Sequence, residues 1–237
     1  MNFSSMKNVL LKTVKRFRRY VHRAISLCNA DNRKLSQCSL ICNNCIGGFI
    51  YSDLHLKFNS PTINLQIPPA DFCKFINNID KYLSYELEEV LPPPIEEFKK
   101  LGGENINFPV GKLGDILIFF QHYKNFESAK CKWEERKQRI NRDRMHFILV
   151  DTFCSLEEMK TFLSCPGKKL LITSNPAAAA IAPDQTVFMK NKPDNKFWFE
   201  NDPMDTLGLP YYKIFDYAAW MLDKENAAFV FTCHAER

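Results

Sequence analysis

The sequence predicts an α/β fold, a mostly parallel sheet with helices on both faces. Three observations predict it. Short apolar runs recur at residues 38–42, 116–120, 147–150 and 170–173, the pattern of strands buried on both sides. Stretches with apolar residues every three or four positions lie among them, the spacing of amphipathic helices. The runs also end in polar residues, and in open parallel sheets ligands bind outside the carboxyl ends of the strands.

Taken in order, the chain opens on a basic segment. Met6, Leu10, Val14, Phe17, Val21 and Ile25 make one face of a helix expected over residues 6–28, and Lys12, Lys15, Arg16, Arg19 and Arg23 fill much of the rest. Residues 1–34 hold nine basic side chains against Asp31, a net +8, which leaves −3 for the remainder of a chain whose total is +5. Such a helix suits an anionic membrane surface; the alternative is a helix packed on its own domain with the bases outward. Nothing base-reading accompanies the charge, so nucleic acid is not an expected partner. The segment is read as a leader over residues 1–35, followed by one α/β domain over 36–237, for which the 237 residues are ample.

Residues 38–42 are expected as a buried strand that leads into the turn Asn43-Asn44-Cys45-Ile46-Gly47-Gly48, with Phe49-Ile50-Tyr51 continuing as strand or helix start. Residues 62–67 alternate and are β-branched, which suggests a strand. A helix is expected over 69–84, with Phe72, Phe75, Ile76, Ile79, Tyr82 and Leu83 on one face. Pro92-Pro93-Pro94 and Gly102-Gly103 mark residues 86–110 as an excursion. Residues 109–115 read as a loop feeding a central strand at 116–120, whose polar exit is Gln121-His122-Tyr123. A helix is expected at 125–142 and a strand at 147–150 closed by Asp151. Ser155 and Glu158 have the capping-box spacing for a helix reaching 164. A strand at 170–173 is closed by Ser174-Asn175-Pro176, residues 177–180 begin a short helix or loop, and 186–189 suggest an edge strand. An aromatic helix over 211–222 and a last strand over 229–231 complete the reading.

The candidate site is the set of polar strand ends: Asn43-Asn44-Cys45, His122, Asp151 and Ser174-Asn175. Cys45, at a glycine-bearing turn near a helix N-terminus, is a candidate nucleophile with a lowered pKa. His122 would be its base and Asp151 the orienting group. The alternative for Cys45 is a small buried residue. Asn43 and Asn44 can offer amides to an oxyanion or a sugar hydroxyl, or simply serve turn geometry. Gly47 and Gly48 would allow close backbone approach to a phosphate. Trp133, Arg136, Arg139 and Asn141 form a second constellation suited to a phosphate, carboxylate or sugar, or a solvated face paired with Glu134 and Glu135. Cys42 and Cys45 make a C-x-x-C, but no second close pair of cysteines or histidines accompanies it, so no metal is expected. The nine cysteines are scattered and odd in number, which suits a reduced, cytoplasmic protein. No apolar run approaches the roughly 18 residues of a membrane span, and the N-terminus lacks a secretory h-region.

Five ordered motifs resemble a bacterial exopolysaccharide-biosynthesis family. They are the run from Cys42 through Cys45, Gly47 and Gly48 to Tyr51, then Phe58-Asn59-Ser60-Pro61-Thr62, Phe108-Pro109-Val110-Gly111, Phe120-Gln121-His122-Tyr123, and Trp133-Glu134-Glu135-Arg136 with Arg139-Ile140-Asn141. The resemblance covers about residues 37–232. Family members usually carry serine where this chain has Cys42. The resemblance implies a three-layer α/β/α fold and a place among capsule and surface-polysaccharide functions, a pathway more than a mechanism. The expectation that follows is a transferase that modifies a glycan or glycan precursor from an acyl-CoA or nucleotide-linked donor, at the cytoplasmic face of the inner membrane. A non-catalytic glycan-binding or assembly protein and a Cys/His hydrolase are the alternatives.

Overall fold

A computed structural model describes residues 31–189 and 215–224. The expected leader helix over 6–28 and the strand over 229–231 lie outside these residues, as do positions 211–214 of the expected aromatic helix.

The leucine- and isoleucine-rich runs form one parallel sheet. Its strands are β1 (Ser39–Cys42), β5 (Met145–Val150), β6 (Lys168–Thr173) and β7 (Thr186–Phe188), hydrogen-bonded in the order β1-β5-β6-β7. The register pairs Ile41 with Phe147, Ile148 with Leu170 and Ile172 with Val187. Alternate side chains leave opposite faces of a strand, and both faces are covered. Ile41, Phe147, Leu149 and Leu171 pack into one core with Phe72, Phe75, Trp133 and Phe162. Leu40, Cys42, Ile148, Val150, Leu170, Ile172 and Val187 pack into the other with Leu35, Ile50, Tyr51, Tyr217 and Trp220. The fold is therefore a three-layer α/β/α arrangement, as the alternation of runs and helical stretches predicts.

The first face carries α3 (Pro69–Asn77), α4 (Ile79–Ser84), α6 (Phe126–Lys137), α7 (Leu156–Ser164) and α8 (Pro176–Ile181); the second carries α1 (Asn32–Leu35), α2 (Ile46–Asp53) and α9 (Tyr217–Met221). The expected helix over 69–84 is broken at Asn78, whose backbone (φ −137°, ψ 45°) leaves the helical region between α3 and α4. The Ser155–Glu158 capping box opens α7, both of its hydrogen bonds being present.

Three expectations are corrected. Residues 109–115 are not a loop, and 116–120 is not a strand of the parallel sheet. β3 (Val110–Leu113) and β4 (Ile116–Phe119) form a hairpin across Gly114-Asp115, with Gly114 at φ +58°. With β2 (Glu88–Glu89) they make a separate antiparallel sheet. Ile116, Ile118 and Phe120 enter the large core, while Phe119 joins Phe98, Leu101 and Val110 beneath α5 (Ile95–Lys100). Both faces of β4 are covered by different layers, so its run is continuously apolar without belonging to the main sheet. Residues 62–67 form no regular strand either. Asn64 sits at φ +62° and interrupts the extended path, leaving an isolated bridge between Gln66 and Phe119.

That segment ties the two sheets together. The Ile67 amide donates to the Asn43 carbonyl at 2.8 Å, and the Gln66 and Phe119 backbones exchange two bonds of 2.8 Å. Along the outer side of β1, the Tyr51 hydroxyl accepts from the Leu40 amide at 2.9 Å and donates to the Cys38 carbonyl at 3.1 Å, and the Thr62 hydroxyl accepts from the Cys42 amide at 2.9 Å.

Candidate functional site

Because β1, β5 and β6 are neighbours and parallel, their carboxyl ends bring together Asn43-Asn44-Cys45, Asp151-Thr152 and Ser174-Asn175. Three of the four polar exits expected from the sequence thus share one sheet edge. His122 does not share it. It follows β4 in the antiparallel sheet and is exposed, because the run preceding it belongs to that sheet.

Each polar group at the edge has a defined task. Asn43 is buried and extends the β1–β5 ladder with its side chain: its amide nitrogen donates to the Val150 carbonyl at 3.1 Å, and its carbonyl oxygen accepts from the Val150 amide at 2.9 Å. Asn44 opens α2 by accepting from the Ile46 amide at 3.1 Å. Asp151 accepts from the Thr173 hydroxyl and, at 3.0 Å, from the Ser174 amide, which joins the ends of β5 and β6. Asn175 caps α8 through the Ala177 and Ala178 amides. Two polar atoms stand apart. The Asn44 amide nitrogen and the Thr152 hydroxyl, on residues each 4% exposed, are buried without a hydrogen-bond partner. Leaving such a group unpaired costs about 1–3 kcal/mol.

Sequence reasoning closed the strand at Asp151 and passed over Thr152 and Phe153. Phe153 holds φ +53°, a left-handed conformation that is costly for a bulky residue and that concentrates at functional sites. No sequence signal marks it. The Gly102-Gly103 break is what admits it: a Cβ on Gly102 would lie 2.1 Å from the Phe153 ring. The excursion over 86–110 therefore packs against the loop that follows β5.

Cys45 is corrected as a poised nucleophile. It precedes α2 but is buried, its thiol lies 3.8 Å from the Leu65 carbonyl, and burial pushes its pKa up to about 12. Desolvation outweighs any help from the helix terminus. Cys42 is raised further by the same cause. Gly47 and Gly48 lie inside α2 and serve packing, not phosphate approach. A Cβ on Gly47 would stand 3.0 Å from the Cys42 sulfur, and one on Gly48 would stand 3.0 Å from the Asn64 side-chain oxygen. Gly47→Val is expected to lower stability by about 1–2 kcal/mol, read as a reduced urea midpoint with an unchanged m-value.

The second constellation is also part of the scaffold. Trp133 is buried between Phe75 and Phe120, at ring separations of 6.3 and 6.4 Å. Arg136 donates to the Tyr123 hydroxyl at 2.8 Å and lies 5.1 Å over the Phe58 ring. Arg139 pairs with Glu135 and donates to the Phe58 carbonyl at 3.2 Å. Asn141 donates to the Gln37 carbonyl and the Ser39 hydroxyl, each at 2.9 Å. These four residues bind α6 and its C-terminal extension to residues 58–63 and to the entry of β1. Arg136, Arg139 and Asn141 each donate to partners within the protein, whereas the Trp133 indole nitrogen is buried without a partner in the aromatic core.

What the edge can do chemically is set by a neutral amide donor, a neutral hydroxyl and a carboxylate on adjacent strand ends. That combination matches the hydroxyl groups of a sugar better than it matches a bare anion. No helix among the described residues is long and apolar enough to cross a membrane. The family model described as Domain of unknown function (DUF1919) matches residues 14–222. A Haemophilus influenzae protein described as an uncharacterized protein is 32% identical over 216 residues, which cover 87% of this chain and 92% of its relative.

Proposed function

The chain belongs to this family of unknown function, and from that premise we propose that it recognises a glycan or glycan precursor at the carboxyl edge of its parallel sheet and works in surface-polysaccharide biosynthesis. The observation that carries the reading is the pair of buried, unpartnered polar atoms, the Asn44 amide nitrogen and the Thr152 hydroxyl, beside the Asp151 carboxylate. A ligand hydroxyl supplies the missing partners. In the transferase version, Asp151 accepts the proton of an acceptor hydroxyl while the hydroxyl oxygen attacks the donor, the bond to the nucleotide phosphate or to the coenzyme A sulfur breaks, and the nucleotide or thiolate leaves. Catalysis through a Cys45 covalent intermediate is not part of this proposal, because that thiol is protonated and buried. The alternative is a non-catalytic glycan-binding protein, favoured by the commitment of one Asp151 oxygen to Thr173 and Ser174. The basic leader, net +8 over residues 1–34, would hold the protein at the cytoplasmic face of an anionic membrane.

The test is a thermal-shift panel with UDP-glucose, UDP-N-acetylglucosamine and acetyl-CoA. A ligand at about 100 times its Kd adds about 2.7 kcal/mol, a rise of about 5–10 °C for a chain of this size. Thr152→Val removes an unpartnered hydroxyl, so it is expected to raise the stability of the free protein by about 1 kcal/mol while abolishing the ligand shift. A panel without any shift, together with a destabilised Thr152→Val, would refute the site.

A further inference from the structure

Two cysteines away from that edge have no role in the proposed function. Cys73 lies on α3, and Cys165 is the C-cap of α7. They are 92 positions apart in the chain, yet both side chains lie in the same buried core cluster. Each is also anchored to α7: the Cys73 thiol lies 3.8 Å from the Glu158 carbonyl and the Cys165 thiol 3.2 Å from the Thr161 carbonyl. Both residues are almost wholly buried, at 3% and 2% exposure, and both thiols are free. A cavity of about 410 Å³, lined by Cys73, Asn77, Glu158 and Thr161 among others, opens on the Cys73 side. A water-sized molecule needs about 30 Å³, so a small oxidant has room to reach the pair.

We propose that Cys73 and Cys165 are a redox pair that closes into a disulfide between α3 and α7 when the protein meets hydrogen peroxide. In the first step the Cys73 thiolate attacks one peroxide oxygen, the O–O bond breaks, and the leaving hydroxide takes a proton to become water. This leaves a sulfenic acid. In the second step the Cys165 sulfur attacks the sulfenic sulfur, the S–OH bond breaks, and a second water departs with the Cys165 proton. Two thiols and one peroxide give one disulfide and two waters, and the two electrons reduce the peroxide. Burial pushes the Cys73 thiol up to about 12 and raises Cys165 as well, although a side-chain hydrogen bond from Asn77 pulls Cys165 partly back. Oxidation is therefore slow at neutral pH and accelerates as pH rises. The bond would restrain α7, whose first turn follows the Asp151–Cys154 loop and whose Met159 sulfur lies 3.5 Å from the Thr173 hydroxyl. The crosslink itself does not depend on the glycan reading.

The experiment uses the full chain carrying Cys131→Ser, since Cys131 is exposed. The protein is treated with hydrogen peroxide at pH 7 and pH 9, then mapped by non-reducing peptide mass spectrometry and thermal unfolding. The expected result is a Cys73–Cys165 linked peptide, formed faster at pH 9, with a melting temperature raised by about 4–10 °C and restored by dithiothreitol. Cys165→Ser removes both the crosslink and the rise; Cys154→Ser keeps both. Persistence of both free thiols in the folded protein, pairing of Cys73 with Cys154, or accumulation of Cys73 as sulfinic acid would each overturn the proposal.

Discussion

Asn43→Ala is expected to lower the stability of the protein by about 2–5 kcal/mol, although the residue sits among the groups that look most like ligand contacts. Its amide closes two hydrogen bonds to the Val150 backbone, one to the carbonyl and one to the amide. Alanine leaves both backbone groups buried and unpaired, at about 1–3 kcal/mol each. The measurement is urea unfolding of the purified variant. A variant of near wild-type stability that lost only ligand binding would reassign Asn43 from the scaffold to the site. Thr152→Val is the natural comparison, because it moves stability in the opposite direction one strand away.

The second large effect is on pH dependence. His146 is buried on β5, with its ring nitrogens 3.1 Å from the Arg144 and Met221 carbonyls. Burial, followed by the Lys168 ammonium, lowers its pKa to about 4. An unfolded histidine protonates near 6.5, so between those values the unfolded state binds more protons. The stability associated with the neutral ring is complete above pH 6.5 and is lost as pH falls toward 4. The loss is about 3 kcal/mol over that window, at about 1.4 kcal/mol per unit. It should appear as a steep fall in the urea midpoint between pH 6.5 and 4.5, flattened in His146→Gln. An equal slope in the variant would place the acid sensitivity elsewhere.

These two residues also show how far the sequence could be read. The runs Phe147-Ile148-Leu149-Val150 and Leu170-Leu171-Ile172-Thr173 declare buried parallel strands, because a strand covered on both faces has no polar alternation. The run at 116–120 carries the same mark for a different reason: its two faces meet two different cores. Periodicity reports burial and not which sheet provides it, so His122 was assigned to the wrong edge. The capping box at Ser155 was legible because its partners are three residues apart. The duties of Asn43, Arg136 and Arg139 were not, because they have partners 107, 73 and 81 positions away, respectively. A polar side chain in a sequence advertises hydrogen-bonding capacity. Only the fold reveals whether the protein itself has taken it up, as with Asn43, or left it open, as with Thr152.

The hydroxyls of Tyr51 and Thr62 have a consequence for how copies of this chain meet one another. Among the described residues β1 borders the parallel sheet, and a bordering strand normally offers its free amides and carbonyls to any extended chain that arrives. Here side-chain oxygens occupy the Cys38 carbonyl and the Leu40 and Cys42 amides. A second strand would have to displace a buried tyrosine and a buried threonine before it could add a rung. The sheet is thus sealed against growth on that side, a guard against self-association in which two hydroxyl groups do the work that closing a barrel would otherwise require.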